Sequence, residues 1–233
     1  MRSQSSVYII NRGRSKKRNR GARRAAGAFI GVLLLLSAAI CLLVVFLPKT
    51  KSGAASSSVG KAKTFYFLAT GDEYESRLQA LTAAQQTAER GGAGYVYNNG
   101  KYKIVAAVYD RESDVKTLVT VNADSYYFSV TFPSRDYSSG DRAVIDCVFG
   151  DWFASVYTAA TELERGNITE SAAEHAVSAA CGKLCALAEK ASLSLQRAVY
   201  SCEYDTPQTR SVISYIRFIT VKTVLSVYET VTI

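Results

Sequence analysis

Aromatic side chains recur along four short β-type segments of the chain, and their chemistry suggests a ligand surface. If successive residues point to opposite sides of a sheet, one side carries Phe67, Tyr95, Tyr97, Lys103 and Tyr127. Tyrosine offers an apolar ring face and a polar hydroxyl, and lysine adds a positive charge. An open side of this kind could bind a ligand that has both apolar and polar surfaces. The alternative is that the rings pack under the C-terminal part of the chain, since aromatic residues suit a half-buried sheet.

The histidine and the cysteines give little support for catalysis or metal binding. His175 is the only histidine, and neither a second zinc ligand nor a catalytic partner is evident, so we expect it on the surface. A disulfide or a metal site among Cys147, Cys181, Cys185 and Cys202 is conceivable outside the cytoplasm. However, cysteines one helical turn apart are poorly placed to bridge each other, and cysteine is often a small buried apolar residue. We therefore expect no enzymatic activity, no metal and no cofactor.

The elements that would position the aromatic residues follow the order β-α-β-β-α-β. Asn98, Asn99 and Gly100 form a strong hairpin signal between the second and third strands. Asp72 and Glu75 have the spacing of a capping box for the first helix. This order is that of ferredoxin-like folds, in which one antiparallel sheet carries both helices on one face. We predict strands over residues 64–70, 93–97, 101–109 and 125–132, and helices over 73–90 and 111–120.

Alternation within these strands assigns each side chain to one face of the predicted sheet. The face towards the two helices receives Tyr66, Leu68, Val96, Tyr102, Ile104, Ala106, Tyr126, Phe128 and Val130. The opposite, open face receives Phe65, Phe67, Ala69, Tyr95, Tyr97, Lys103, Val105, Tyr127, Ser129 and Thr131. A slip of one residue in any strand would exchange the two assignments for that strand.

From Asp141 onward the pattern changes to apolar residues spaced by three and four, which is typical of amphipathic helices. Asn167 and Glu170 have capping-box spacing, and Thr206 followed by Pro207 is typical of a helix start. These helices would pack together or against the open face of the sheet. We predict one helix over 142–165, a second from about 170 past 198, and a third after 207. The last segment is rich in β-branched residues and could be a strand, but 20 or more residues without a turn signal favour a helix.

The N-terminal quarter has the composition of a membrane anchor. Residues 1–24 contain nine Lys and Arg residues and no acid, and residues 25–47 contain 23 residues without a charge. Such a helix can cross a hydrocarbon core of about 30 Å. The positive-inside rule places the tail in the cytoplasm and the rest of the chain outside it. A cleaved signal peptide is the rival interpretation, but its apolar region is usually shorter. Residues 48–63 have the composition of a flexible linker.

The distribution of charge argues against nucleic acid as a partner. The net charge of +8 comes from the basic tail, because the other nineteen Lys and Arg residues face twenty Asp and Glu residues. The segment after residue 47 is therefore close to neutral. A basic nucleic-acid surface is not expected on it.

The segment "YKIVAAVYDRESDV" resembles the "Y-R-V-x-V-G-P-F-x-s-r-e-e-A" half of the SPOR (sporulation-related repeat) domain, and "FYFLATGDEYESRLQA" resembles its "Y-x-V-Q-V-G-x-F" opening. The resemblance covers residues 64–132. It implies a small β-α-β-β-α-β module of a bacterial cell-envelope protein. Such modules bind peptidoglycan glycan strands without stem peptides, gather at septa, and often follow one transmembrane helix and a linker. Ala69 stands where the family frequently has glutamine, and Ala107 and Val108 stand where it has Gly-Pro.

Three functions follow as hypotheses. The first is an anchored envelope protein that binds denuded glycan strands in division or sporulation, through Phe67, Tyr95, Tyr97, Lys103 and Tyr127. The second is an interaction module that has lost glycan binding and whose helical region binds another envelope protein or a second copy. The third is RNA binding, because aromatics on this topology can stack bases, but the predicted location opposes it. The expected organisation is a tail (1–24), a transmembrane helix (25–47), a linker (48–63), a SPOR-like domain (64–134) and a helical region (140–233).

Overall fold

The computed structural model describes residues 63–201 and 210–232. The first six elements are β1 (Lys63–Tyr74), α1 (Arg77–Glu89), β2 (Tyr95–Asn98), β3 (Tyr102–Tyr109), α2 (Glu112–Val121) and β4 (Ser125–Phe132). They are followed by α3 (Ser139–Cys147), a π-helical turn (Val148–Trp152), α4 (Phe153–Glu164), α5 (Glu170–Ala188), α6 (Leu193–Tyr200) and α7 (Val212–Thr232).

The predicted tail, transmembrane helix and nearly all of the linker lie outside the described residues, as does the Thr206–Pro207 helix start. Lys63, the last residue of the predicted linker, begins β1. In the part of the chain that the structure describes, no helix is long and apolar enough to cross a membrane.

The four strands form one antiparallel sheet in the order β2-β3-β1-β4. The prediction of an α+β fold with a four-stranded antiparallel sheet is confirmed, and the first six elements have the predicted order. The hairpin between β2 and β3 turns at Gly100, whose φ is +106°. Its backbone N–H donates to Asn98 Oδ1 over 3.1 Å, which closes the turn locally.

Strand β1 is longer than predicted, and the expected capping box is wrong. The strand continues through Gly71, at a φ of +74°, to Tyr74, which pairs with Tyr102 of β3. Asp72 therefore lies within β1, and Ser76 is the residue that precedes helix α1. The pairing of Tyr74 with Tyr102, beyond an irregularity after Thr70, extends the strand through the predicted capping residue Asp72.

The side-chain assignment is correct for β1, β2 and β3 but inverted for β4. Phe67 is opposite Phe128 and Phe65 is opposite Val130, so these side chains share one face of the sheet. Tyr127 packs instead with Leu68 and Val115 on the face that carries α1 and α2. In β4 aromatic residues occupy both odd-numbered and even-numbered positions. The alternation of side chains therefore did not identify which face of this strand is buried.

The helical region is more interrupted than predicted. The expected helix over 142–165 is divided into α3 and α4 by the π-helical turn, in which Gly150 has non-helical angles of φ −118° and ψ −108°. The expected second helix is divided into α5 and α6. Thr169, not Asn167, caps α5, because its side chain accepts a hydrogen bond from the Ala172 N–H at 3.2 Å. The third predicted helix is confirmed as α7.

Helix α7 packs between the sheet and the other C-terminal helices. It contacts β2, β3 and β4 on one side and α4, α5 and α6 on the others. Its buried residues are Val212, Ser214, Ile216, Ile219, Thr220, Val221, Thr223, Val224, Leu225, Val227 and Val231. The main hydrophobic cluster contains residues from β1 and β4 and from all five C-terminal helices, so the sheet and the helical region share one core.

Two buried threonines of α7 make a matched pair for a stability test. The Thr223 hydroxyl is buried and has no hydrogen-bond partner among the described residues, whereas the Thr220 hydroxyl donates to the Ile216 carbonyl over 2.7 Å. We expect Thr223→Val to raise the free energy of unfolding by about 1–2 kcal/mol, because it removes an unsatisfied hydroxyl. Thr220→Val should give no such gain. Equal effects of the two substitutions in chemical denaturation would contradict this assignment.

Candidate functional site

Phe67, the central aromatic residue of the predicted ligand surface, is part of the core. Its side chain has no exposed area. The ring stacks on that of Phe128, with centroids 5.2 Å apart and an interplanar angle of 12°. Phe67 belongs to the same hydrophobic cluster as Ile216 and Val224 of α7. In this arrangement its ring contacts protein atoms and is not available to a ligand.

Tyr95 and Tyr97 lie on the same face of β2 and are half-buried beside α7. The Tyr95 ring centroid is 5.7 Å from that of Phe218. The Tyr97 ring stacks on Phe128 at 5.4 Å and 7°. Burial raises the pKa of Tyr97, and the nearby Glu229 raises it further. Both tyrosines thus keep part of their surface accessible at the edge of the sheet.

Lys103 is next to Tyr97 on the adjacent strand, and its charge already has partners. Its Nζ atom is 3.1 Å from Glu73 Oε1 and lies 5.3 Å from the centre of the Phe128 ring. Only 14% of the side chain is exposed. The lysine therefore contributes an ion pair and a cation–π contact within the fold, and it presents a small accessible surface beside Tyr97.

Tyr127 is separated from the other four predicted residues by the sheet itself. Its hydroxyl donates to Glu112 Oε1 over 2.8 Å, at the start of α2. This hydrogen bond raises the pKa of Tyr127, and burial adds to the effect. The structure thus brings together Phe67, Tyr95, Tyr97 and Lys103 and places Tyr127 elsewhere.

Two residues beside this cluster were not identified as part of it from sequence. Phe128 stacks between Phe67 and Tyr97, and the sequence-based register had put it on the other face. The hydroxyl of Tyr126 is buried without a hydrogen-bond partner in the described part of the chain. Burial, followed by the nearby Glu73 and Asp72 carboxylates, raises its pKa to about 12. Both residues would have been assigned to this face if the register between β4 and β1 had been known.

Three side chains in or just before α7 donate hydrogen bonds to consecutive backbone carbonyl groups of the loop between α1 and β2. Arg217 Nη1 donates to the Gly91 carbonyl over 2.8 Å, and the Ser214 hydroxyl to that of Gly92 over 2.8 Å. Arg210 Nη1 donates to the Ala93 carbonyl over 2.5 Å. Ser214 and Arg217 are three residues apart on α7, and Arg210 lies just before the helix begins at Val212. These bonds fix the position of the helix that covers the aromatic cluster.

Among the described residues, the histidine and cysteines considered for metal binding or catalysis lie on α3 and α5, and Cys185 is half-buried one turn after Cys181. His175 is exposed on α5, Cys181 is buried in the core, and Cys147 is half-buried. Burial raises the pKa of the Cys147 thiol. Cys202 lies outside the described residues. Across residues 63–201 and 210–232, no group of three or more His, Cys, Asp and Glu side chains is arranged to hold a metal ion.

The outer surface carries exposed apolar groups. Leu78 on α1 is 73% exposed, and Leu193 at the start of α6 is 61% exposed. A shallow groove of about 420 Å³ lies between α4 and α5. It is lined by Ala154, Ser155, Thr158, Ala159, Glu162, Ile168 and Ala176.

Comparisons with known proteins give no assignment. No family model matches the chain, no curated protein matches it, and no solved structure matches it.

Proposed function

We propose that this chain is a membrane-anchored, extracytoplasmic interaction module of a bacterial cell envelope, in which a SPOR-like sheet supports the fold and does not bind glycan through its aromatic face. It acts by binding protein partners and carries out no reaction. The observation that supports this most is the position of α7, which covers Phe67, Tyr95 and Tyr97. The proposed anchor is the apolar segment 25–47, and the basic tail sets its orientation.

The free energy needed to uncover the aromatic face argues against its use as a ligand surface. Removing α7 would expose eleven buried residues, among them Ile216 and Leu225, which have no exposed area. Burial of one large aliphatic side chain contributes about 1.5–3 kcal/mol. A sugar ligand would have to replace the sum of these contributions, and the hydrogen bonds from Arg210, Ser214 and Arg217 as well.

The surfaces that remain for partners lie outside the core. They comprise the groove between α4 and α5, the exposed leucines of α1 and α6, and the free edges of the sheet. Apolar groups on an otherwise polar surface are typical of protein contacts. The nearly neutral charge after residue 47 also suits contact with other proteins better than contact with nucleic acid.

Binding to purified peptidoglycan sacculi separates this proposal from glycan binding. Full-length protein in mild detergent is incubated with untreated sacculi and with sacculi denuded by an amidase. We expect low and equal retention on both. Enrichment on denuded sacculi would contradict the proposal. Truncation after Ser134 is not a usable variant, because it removes α7 and with it much of the shared core.

Glycan binding at the edge of the sheet is the second candidate, because Tyr97 stays half-buried and Lys103 keeps 14% of its side chain accessible. In that case denuded sacculi should retain the native protein, and Lys103→Gln should reduce the retention. Lys101→Gln is the matched control, since Lys101 lies in the same hairpin and its side chain is 52% exposed. An equal loss in both variants would indicate non-specific attraction by charge.

A further inference from the structure

We propose that the free edge of β4 pairs antiparallel with β4 of a second copy of this chain, which joins two four-stranded sheets into one of eight strands. The inference rests on the proposed function as an interaction module and names one of its partners. It differs from the expectation from sequence that any self-association uses the helical region.

Strand β4 offers a long and regular edge. The strand order places β2 and β4 at the two edges of the sheet. Strand β2 has four residues, whereas β4 has eight, and within the described residues β4 pairs with β1 alone. Its pairing with β1 runs from Phe132 to Ser125 without a register shift. The backbone groups on its outer side therefore form a straight row that another strand can match.

The usual protection of a strand edge is missing from β4. Natural proteins protect edges with charged residues, proline, bulges or very short strands. The sequence of β4, "SYYFSVTF", contains no charge and no proline, and six of its eight residues are aromatic or β-branched. Pro133 follows only after the strand ends. Ser129 and Thr131 are exposed. Because their side chains are small, they do not hinder a second strand from reaching the backbone of β4.

The charges at the two ends of β4 favour a second copy as the occupant. Asp124 precedes the strand, Arg135 lies beyond its other end, and both are exposed. Antiparallel pairing about a twofold axis brings the start of one strand to the end of its copy, so Asp124 of each copy approaches Arg135 of the other. Between these two charge pairs the strands are uncharged, so no like charges oppose each other across the interface.

The oligomeric state of the full-length protein in mild detergent tests this inference, by light scattering after size-exclusion chromatography. We expect a dimer at micromolar concentration. The substitution Ser129→Lys should raise its dissociation constant about tenfold or more, because it places two like charges at the paired edge. Ser178→Lys, at an exposed position of α5, is the matched control and should leave the dimer intact. Unchanged thermal unfolding of Ser129→Lys would show that the fold is retained.

A monomeric native protein would overturn the inference, and so would a dimer that persists in Ser129→Lys. Dissociation by Ser178→Lys alone would also overturn it and would indicate the helical region. Retention on sacculi is a separate measurement: enrichment on denuded sacculi would contradict the proposed function whether or not β4 pairs, and loss of the dimer alone would leave the proposed function standing.

Discussion

Replacing Phe67 with alanine should lower the free energy of unfolding by about 3–5 kcal/mol, the range for removing a buried aromatic side chain. The ring has no exposed area and stacks on Phe128 under α7, so its removal leaves a cavity between the sheet and the helix. Chemical denaturation of the full-length protein in detergent, followed by near-ultraviolet circular dichroism, measures the change.

Leu78→Ala is the control for this prediction. Its side chain is an apolar group of comparable size that is 73% exposed, and we expect a change within about 0.5 kcal/mol. If Phe67→Ala unfolded like the native protein, the ring would not be in the core. If Phe67→Ala kept the native stability but no longer bound denuded sacculi, Phe67 would be a glycan-binding residue, as the sequence suggested.

Replacing Gly94 with alanine should be comparably severe, at about 2–5 kcal/mol, because a positive φ and a steric overlap combine. Gly94 has a φ of +53°, and a Cβ atom at this position would be 2.3 Å from the Ala84 carbonyl oxygen of α1. The short loop that leads into β2 can pass this close to the helix only without a side chain. The loss should be visible as a lower midpoint of thermal and chemical unfolding.

Gly182→Ala is the control for this prediction and should have the opposite effect on stability. Gly182 is an exposed residue inside α5, and a Cβ atom there would meet nothing within 4 Å. We expect the substitution to stabilise the protein by about 0.5–1 kcal/mol, since alanine favours a helix more than glycine does. Similar losses at both glycines would mean that the conformation at Gly94 is not the cause.

The order of the elements could be predicted because each element carries a strong local signal. The Asn-Gly turn located the hairpin, the end of β4 at Phe132 matched the prediction, and 20 residues without a turn signal identified α7. Helix boundaries that depend on tertiary contacts were less predictable. The extension of β1 to Tyr74 depends on its pairing with Tyr102, which a local pattern does not contain. The kink at Gly150 falls at a glycine, a local signal that the apolar spacing alone did not weigh.

Of the five residues predicted to form the ligand surface, four lie on one face of the sheet, but that face is not open as expected. Alternation identifies which side chains share a face, and it does so for Phe67, Tyr95, Tyr97 and Lys103. Whether another element covers that face is a property of the whole chain. One signal was present in α7, whose apolar residues surround the helix, as in helices that are buried on all sides.

The position of α7 between the sheet and the other C-terminal helices has a consequence for biosynthesis. Proteins are made from the N-terminus, and the sheet is complete in sequence at Phe132, about 80 residues before α7 begins. During that interval the surface of β2, β3 and β4 that α7 contacts is not yet covered by it, although Phe65 and Phe132 can already pack on Phe149. The uncharged edge of β4 is also complete by then. We therefore expect the nascent chain to be more prone to aggregate at this stage than after α7 has been made. The membrane anchor proposed above would hold the copies apart and reduce that hazard until the last helix enters the core.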